Sequence, residues 1–152
     1  MTEIRHPRDE DEFEAALAVR AEVFIREQGV SVEGDVDGHD AEALQLVAVA
    51  DDGRVIGTCR VLPAADEAAH FGRLAVLGEA RGHGLGTALL TQAERAARAA
   101  GAARMVLHAQ VDALSLYERA GYRAFGNRFL DEGIEHQAME KPLAGPGTPS
   151  DA

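Results

Sequence analysis

Three glycines at alternate positions, Gly82, Gly84 and Gly86, stand between an apolar run ending at Leu77 and a helical pattern beginning at Leu85. Glycine lets backbone amides turn into a concavity, and a helix starting there adds its partial positive charge at the same point. Arg81, just before them, adds a full charge and a forked donor. Strand, turn and helix together make a place for an anion, and a pyrophosphate is the natural guest. Two common phosphate patterns do not fit. The Gly-x-Gly-x-x-Gly order of dinucleotide folds is absent, and about twenty positions on, where such folds carry an acidic residue, the nearest candidate is His108. A Walker loop needs Gly-Lys-Ser/Thr, and this turn has no lysine. A tight turn whose glycines serve only close packing remains the plain alternative.

Charge narrows the partner. Lys plus Arg number 15 against 26 Asp plus Glu in 152 residues, a formal net charge of −11. Such a surface counts against nucleic acid, whose phosphates need cations. A chain that is 46% hydrophobic and 27% charged has the make-up of one soluble globular domain. Cys59 is the only cysteine, so no internal disulfide forms and a reducing, cytoplasmic compartment is expected. The opening Met1-Thr-Glu-Ile-Arg-His-Pro stretch lacks the apolar segment of a signal peptide, and no run reaches membrane-spanning length. The histidines lack zinc spacing, and Asp35-x-Asp37-x-His39 lacks the further oxygen ligands of a calcium loop, so no metal is expected. Lys141, a lone lysine among many arginines, and abundant alanine point to a GC-rich genome.

Periodicity gives a mixed α/β order. Asp9 followed by Glu12 reads as a capping box, and Phe13, Ala16, Leu17, Val23 and Phe24 predict a helix over 9–27 that Gly29 ends. Residues 29–41 are acidic and glycine-rich and read as a surface loop with room for one helical turn. Its carboxylates either recruit a cationic acceptor or form a charged, solvated face. Apolar runs at 44–50 and 55–62 flank Asp51-Asp52-Gly53, a hairpin signal. A third strand covers 69–77, where Gly72 marks a bulge or a close approach. The helix from Leu85 runs to Gly101, then come a strand at 105–109, a short helix capped by Asp112, and strands at 122–126 and 134–141. The tail, 144–152, has the composition of a disordered end, leaving 1–143 as one domain.

Arg81-x-x-Gly84-x-Gly86 resembles the acetyl-CoA pyrophosphate loop of the GNAT superfamily of N-acetyltransferases. Ala113-x-x-Leu116-Tyr117-x-x-x-Gly121-Tyr122 resembles that family's second signature, and the order of elements agrees to about Leu143. A narrower, bacterial, ElaA-like branch is resembled by four stretches. These are Arg20-x-x-Val23-Phe24-x-x-Glu27-Gln28-Gly29-Val30, Gly72-Arg73-x-Ala75-Val76, His108-Ala109-Gln110 and Phe129-x-x-Glu132-Gly133-Ile134-x-His136-x-x-Met139. The resemblance implies a mixed, mostly antiparallel central sheet flanked by helices and splayed in the middle for CoA.

It also implies roles. The backbone of Arg81, Gly82, His83, Gly84, Leu85, Gly86 and Thr87 would hold the pyrophosphate, and the strand at Leu74, Ala75 and Val76 would pair with pantetheine. Gln110 stands where the family usually has a CoA-contacting asparagine. Tyr117 resembles the general acid that protonates the departing thiolate. The base is open between Glu27, favoured as the carboxylate ending the first helix, and His136, with His108 a third candidate. Arg73 balances Glu27 or Asp35, or contacts the acceptor. The implied reaction is acetyl transfer from acetyl-CoA to a primary amine, a small molecule or peptide, by direct attack in a ternary complex. The alternative is a non-catalytic acyl-CoA-binding sensor module. Many relatives pair through sheet edges or C-terminal strands, which leaves a homodimer open.

Overall fold

The computed structural model describes residues 2–143, so the expected tail at 144–152 lies outside the described residues. The strands are β1 (Glu3–Arg5), β2 (Leu44–Val49), β3 (Val55–Pro63), β4 (Ala68–Val76), β5 (Arg104–Gln110), β6 (Arg123–Ala124), β7 (Phe129–Asp131) and β8 (Ile134–Pro142). They form one sheet in the order β1-β2-β3-β4-β5-β8-β6, with β7 pairing on β8. Every pair is antiparallel except β4 with β5. The helices are α1 (Glu10–Arg20), a single turn α2 (Val32–Asp35), α3 (Leu85–Ala99) and α4 (Leu114–Arg119).

The sheet buries both faces, which is why β3 reads as an almost unbroken apolar run and is buried from Val55 to Val61. On one face Ala16 and Val19 of α1, with Val23, meet Val47, Val49, Val55 and Ala75. On the other, Leu89, Leu90, Ala93 and Ala97 of α3 meet Leu46, Ala48, Cys59 and Phe71. Gly57 permits that contact, because a Cβ there would stand 3.2 Å from Leu89 and 3.3 Å from Leu85. Tyr122 of the second signature is an anchor in this layer: its hydroxyl donates to Glu94 on α3 at 2.8 Å, and Lys141 reaches the same carboxylate at 3.1 Å.

Several local expectations need correction. Asp9 accepts the Glu12 amide at 2.9 Å, but the Glu12 carboxylate does not return to Asp9. It accepts from the Arg8 amide at 2.8 Å and from the Arg5 guanidinium at 2.6 Å, a charged partner that outcompetes a neutral amide. The first helix is α-helical only to Arg20, and Ala21–Glu27 continues it as a wider π-helix. Asp112 does not cap α4. It lies inside a 3-10 turn, Val111–Ala113, that supplies the helix start instead. The strand expected at 122–126 shrinks to Arg123–Ala124, while β7 forms through a turn at Glu132-Gly133, where both residues have positive φ, +52° and +74°.

The irregularity expected at Gly72 falls on its neighbour. Thr58 pairs with Ala75 but Arg60 pairs with Gly72, so β4 carries one extra residue. Arg73 takes the left-handed conformation there, φ +54°, at a strain of about 1–2 kcal/mol. Its guanidinium holds it in place by donating to the Gly34 and Asp35 carbonyls at 2.8 and 3.0 Å.

The splay positions the site. β4 and β5 pair only between Ala68–Phe71 and Arg104–Leu107. Past that point the ladder stops, although β5 stays paired with β8 as far as Gln110 with His136. The sheet therefore opens into a wedge with Gly72 to Val76 on one wall and His108 to Gln110 on the other.

Candidate active site

The wedge holds a cavity of about 240 Å³, lined among others by Leu74, His108, Gln110, Tyr117 and His136. The chain leaving β4 runs through a 3-10 turn, Gly78–Ala80, into the glycine turn. Gly82 and Gly84 have φ of +84° and +79°, and a Cβ on either would meet nothing within 4 Å. Their requirement is conformational, and the space above them is open. Gly84 caps α3 without a side-chain acceptor, so among the described residues the first-turn amides of Leu85, Gly86 and Thr87 have no side-chain partner. Such amides, at the positive end of a 15-residue helix, are built for an anion. Gly86 differs from its neighbours: a Cβ there would make ordinary contact with Leu116 at 3.5 Å and Leu74 at 3.7 Å, so it faces the packed side of the helix start.

Arg81 does not lean into that concavity. It donates to the Val76 carbonyl at 2.9 Å and to Glu27 at 2.7 Å, pinning the turn to the end of β4. Glu27 is thereby held beside a different groove, between α1 and the turn after β4, which Leu77, Gly78 and Glu22 also line. The structure brings Tyr117, Gln110, His108, His136 and Leu74 together and leaves Glu27 outside that group. Ala75 points away, into the α1 face, so only its backbone can serve the wedge.

Tyr117 is 7% exposed, with its ring edge-on to Phe71 and Tyr122. Burial pushes its phenol well above the usual tyrosine range, so it holds its proton at neutral pH. Burial does the same to Cys59, which stays a thiol beneath the sheet and is no nucleophile.

The far wall is a ladder of rings. His70 meets His108 at 4.7 Å, His108 meets Phe129 at 5.1 Å, and Phe129 stacks on His136 at 5.7 Å. His136 Nδ1 lies 2.7 Å from the Ile134 carbonyl. A carbonyl only accepts, so this hydrogen bond assigns the proton to Nδ1 and leaves the Nε2 lone pair of the neutral ring free. Burial depresses His108, with the neighbouring His136 adding to the effect and Asp131 opposing it. Burial lowers His70 to about 4, helped by His108, Arg60 and Arg73.

That shift has a sign. The unfolded chain protonates His70 near pH 6.5, whereas the folded chain resists until about pH 4. The stabilisation is therefore complete above 6.5, falls between 6.5 and 4, and is gone below. His70→Gln should remove on the order of 2 kcal/mol of the acid destabilisation over that window, read as urea midpoints of both proteins at pH 7.5 and 4.5. Equal losses in the two proteins would show that His70 titrates normally.

Most of the acidic loop is exposed, Glu33 and the adjoining Glu42 included, but three of its carboxylates pair with arginines of the first helix and the sheet. Asp35, 2% exposed, accepts from Arg20 Nε at 3.0 Å. Asp40 accepts from Arg20 at 2.7 Å and Arg60 at 3.1 Å, and Asp37 from Arg60 at 2.6 Å and Arg73 at 3.2 Å. The Arg60 guanidinium holds the Asp37 carboxyl far below its ordinary value. Arg73 thus pairs with Asp35 and Asp37, not with Glu27. The signal for this cluster lay in the sequence: Arg20 falls on the apolar face of α1 and Arg60 inside an apolar strand, places where a charge needs partners. His70 lines the cleft and had no comparable signal.

An anion cradle at a helix start beside a wedge in a mixed sheet defines a class of nucleotide-cosubstrate transferase folds. The model of the acetyltransferase (GNAT) domain family matches residues 12–143, and the chain belongs to that family. It is 34% identical over 135 residues to the uncharacterised N-acetyltransferase YjcF of Bacillus subtilis, covering 88% of this chain and 95% of that protein. The structure is similar to an acyl-CoA N-acyltransferase from Pseudomonas aeruginosa, with TM-score 0.80, 30% identity and 93% and 98% of the two chains covered. It also shares its fold with Escherichia coli ElaA, at TM-score 0.80, 22% identity and the same coverage.

Proposed function

We propose that this protein transfers an acetyl group from acetyl-CoA to a primary amine, a small molecule or a peptide N-terminus, by direct attack. One observation carries the reading: the β4–β5 wedge, lined by Leu74 and Tyr117, lies beside the start of α3, where a Cβ on Gly86 would stand 3.7 Å from Leu74 and Gly84 makes no side-chain cap. Acetyl-CoA, when bound, supplies the thioester. The cradle fits its pyrophosphate, because Gly82 and Gly84 leave open space and, among the described residues, the amides of Leu85 to Thr87 face no side-chain acceptor. The unpaired edge of Leu74 to Val76 would hydrogen-bond the pantetheine arm as a neighbouring strand would.

Within the wedge, His136 takes the proton of the attacking ammonium through Nε2, which its Nδ1 bond to Ile134 leaves available. The amine nitrogen then forms the new bond to the acetyl carbon as the carbon–sulfur bond breaks. Backbone amides near Val76 polarise the carbonyl. Tyr117 gives its proton to the departing sulfur, and the second proton, shed by the nitrogen as the amide forms, returns to the Tyr117 oxygen, by way of water where the two are apart. Glu27 has no part in this scheme, since Arg81 holds it outside the wedge.

Calorimetric titration with acetyl-CoA tests the reading. The wild type should bind, and Gly84→Val, which puts a β-branched side chain at φ +79° and into the cradle, should weaken binding at least about 30-fold. Equal binding by both would move the cosubstrate elsewhere. Binding without thiol release across an amine panel would favour the acyl-CoA sensor.

A further inference from the structure

Where the β4–β5 ladder stops, something else must set the width of the wedge. The segment 28–35 does so, crossing the gap on the α1 face. On the β4 side it is held by Arg73, which donates to the Gly34 and Asp35 carbonyls. On the β5 side the Ser31 amide donates to Glu132 at 2.8 Å, and that side chain lies against Gly34, where a Cβ would stand 2.6 Å from Glu132 Cδ. The remaining tie is a reciprocal amide pair. Gln110 Nε2 donates to Gln28 Oε1 at 2.8 Å, and Gln28 Nε2 donates to Gln110 Oε1 at 3.4 Å. Both residues line the wedge.

Building on the acyl-CoA reading above, we infer that Gln28 is a positioning residue that aims the Gln110 amide at the pantetheine arm. A primary amide has two N–H donors and two carbonyl lone pairs. Pairing with Gln28 uses one of each and holds the plane of the Gln110 amide, since the two amides can exchange nitrogen for oxygen only together. One N–H and one lone pair remain at the lip of the wedge. Pantetheine carries secondary amides, each one donor and one acceptor, so an amide held in that plane can meet it without a rotamer search. Asparagine at 110 would be one methylene short of Gln28; the longer side chain serves the strap.

The pair is exposed, so losing it should leave the urea midpoint almost unchanged. The effect should appear in binding. Gln28→Leu should raise the calorimetric Kd for acetyl-CoA about 5–10-fold, the scale of one to two oriented hydrogen bonds. Adenosine 3′-phosphate 5′-diphosphate, which lacks the arm, should bind the variant and the wild type equally. Gln28→Glu keeps the acceptor for Gln110 Nε2 and should restore most of the acetyl-CoA affinity. In a Gln110→Leu background, Gln28→Leu should add nothing, since it acts through Gln110. Weakening of both ligands alike, or additive losses in the double variant, would overturn the assignment, as would unchanged acetyl-CoA binding. Failure of the wild type itself to bind acetyl-CoA would instead remove the reading on which the assignment rests.

Discussion

Tyr117→Phe is expected to lower kcat by about 10²–10³-fold, the usual contribution of a positioned general acid, and to leave the Kd for acetyl-CoA within about twofold. The argument rests on where the ring is held. Its edge-on contacts with Phe71 and Tyr122 are made by carbon, so phenylalanine keeps the packing. What is lost is a proton that burial holds on the oxygen far above neutral pH. A group with that property cannot act as a base near pH 7, but it can protonate a thiolate as the thiolate forms. The kcat loss should be smaller for acetyl donors with more acidic thiols, which need less help to leave. Steady-state thiol release with acetyl-CoA, beside calorimetry on the same samples, separates the two quantities. An unchanged kcat would take Tyr117 out of the chemistry and leave it a packing residue.

What could be read from the sequence was mostly what neighbours in the chain decide. Gly82 and Gly84 were legible because positive φ is a local demand that only glycine meets easily. The Gly53 turn was legible for the same reason, and the Asp9 cap because it lies only three residues from the amide it accepts. Tyr117 and Gln110 came from a family pattern, and the structure brings them together in one cavity. What was missed around the site is long-range. Glu27 looked like a base because it ends a helix, yet its partner Arg81 lies 54 residues on and turns it away from the wedge. Gln28 and Gln110 are 82 residues apart, and nothing near either one predicts the pairing. Asp112 followed a local rule and lost to the chain path, because the 3-10 turn it occupies already starts the helix. Arg73 carries the strain expected of a glycine because its guanidinium reaches the 34–35 carbonyls, a contact glycine could not make.

The acidic loop leads to the second large effect. Arg20→Met is expected to destabilise the protein by about 3–5 kcal/mol, because it leaves a buried carboxylate short of its partner. Asp35 is 2% exposed and would keep only Arg73, whose contact is longer, at 3.5 Å. The Asp35 carbonyl would also lose the Arg20 bond of 2.6 Å, and Asp40 the one of 2.7 Å. Methionine fills much of the volume, so the loss is electrostatic and not a cavity. Arg54→Ala removes an ion pair with Glu79 in which both side chains are more than half exposed, and it should leave the urea midpoint almost unmoved. Urea unfolding of the two variants compares them directly, and a loss under about 1 kcal/mol for Arg20→Met would mean that water reaches Asp35. The same substitution bears on the site. Arg20 holds Asp35, the Asp35 carbonyl helps hold Arg73 at φ +54°, and that bulge lies on the β4 wall where the ladder to β5 ends. Arg20→Met should therefore also weaken acetyl-CoA binding under conditions where the protein is still folded. The buried charge network links the fold's stability to the shape of its wedge.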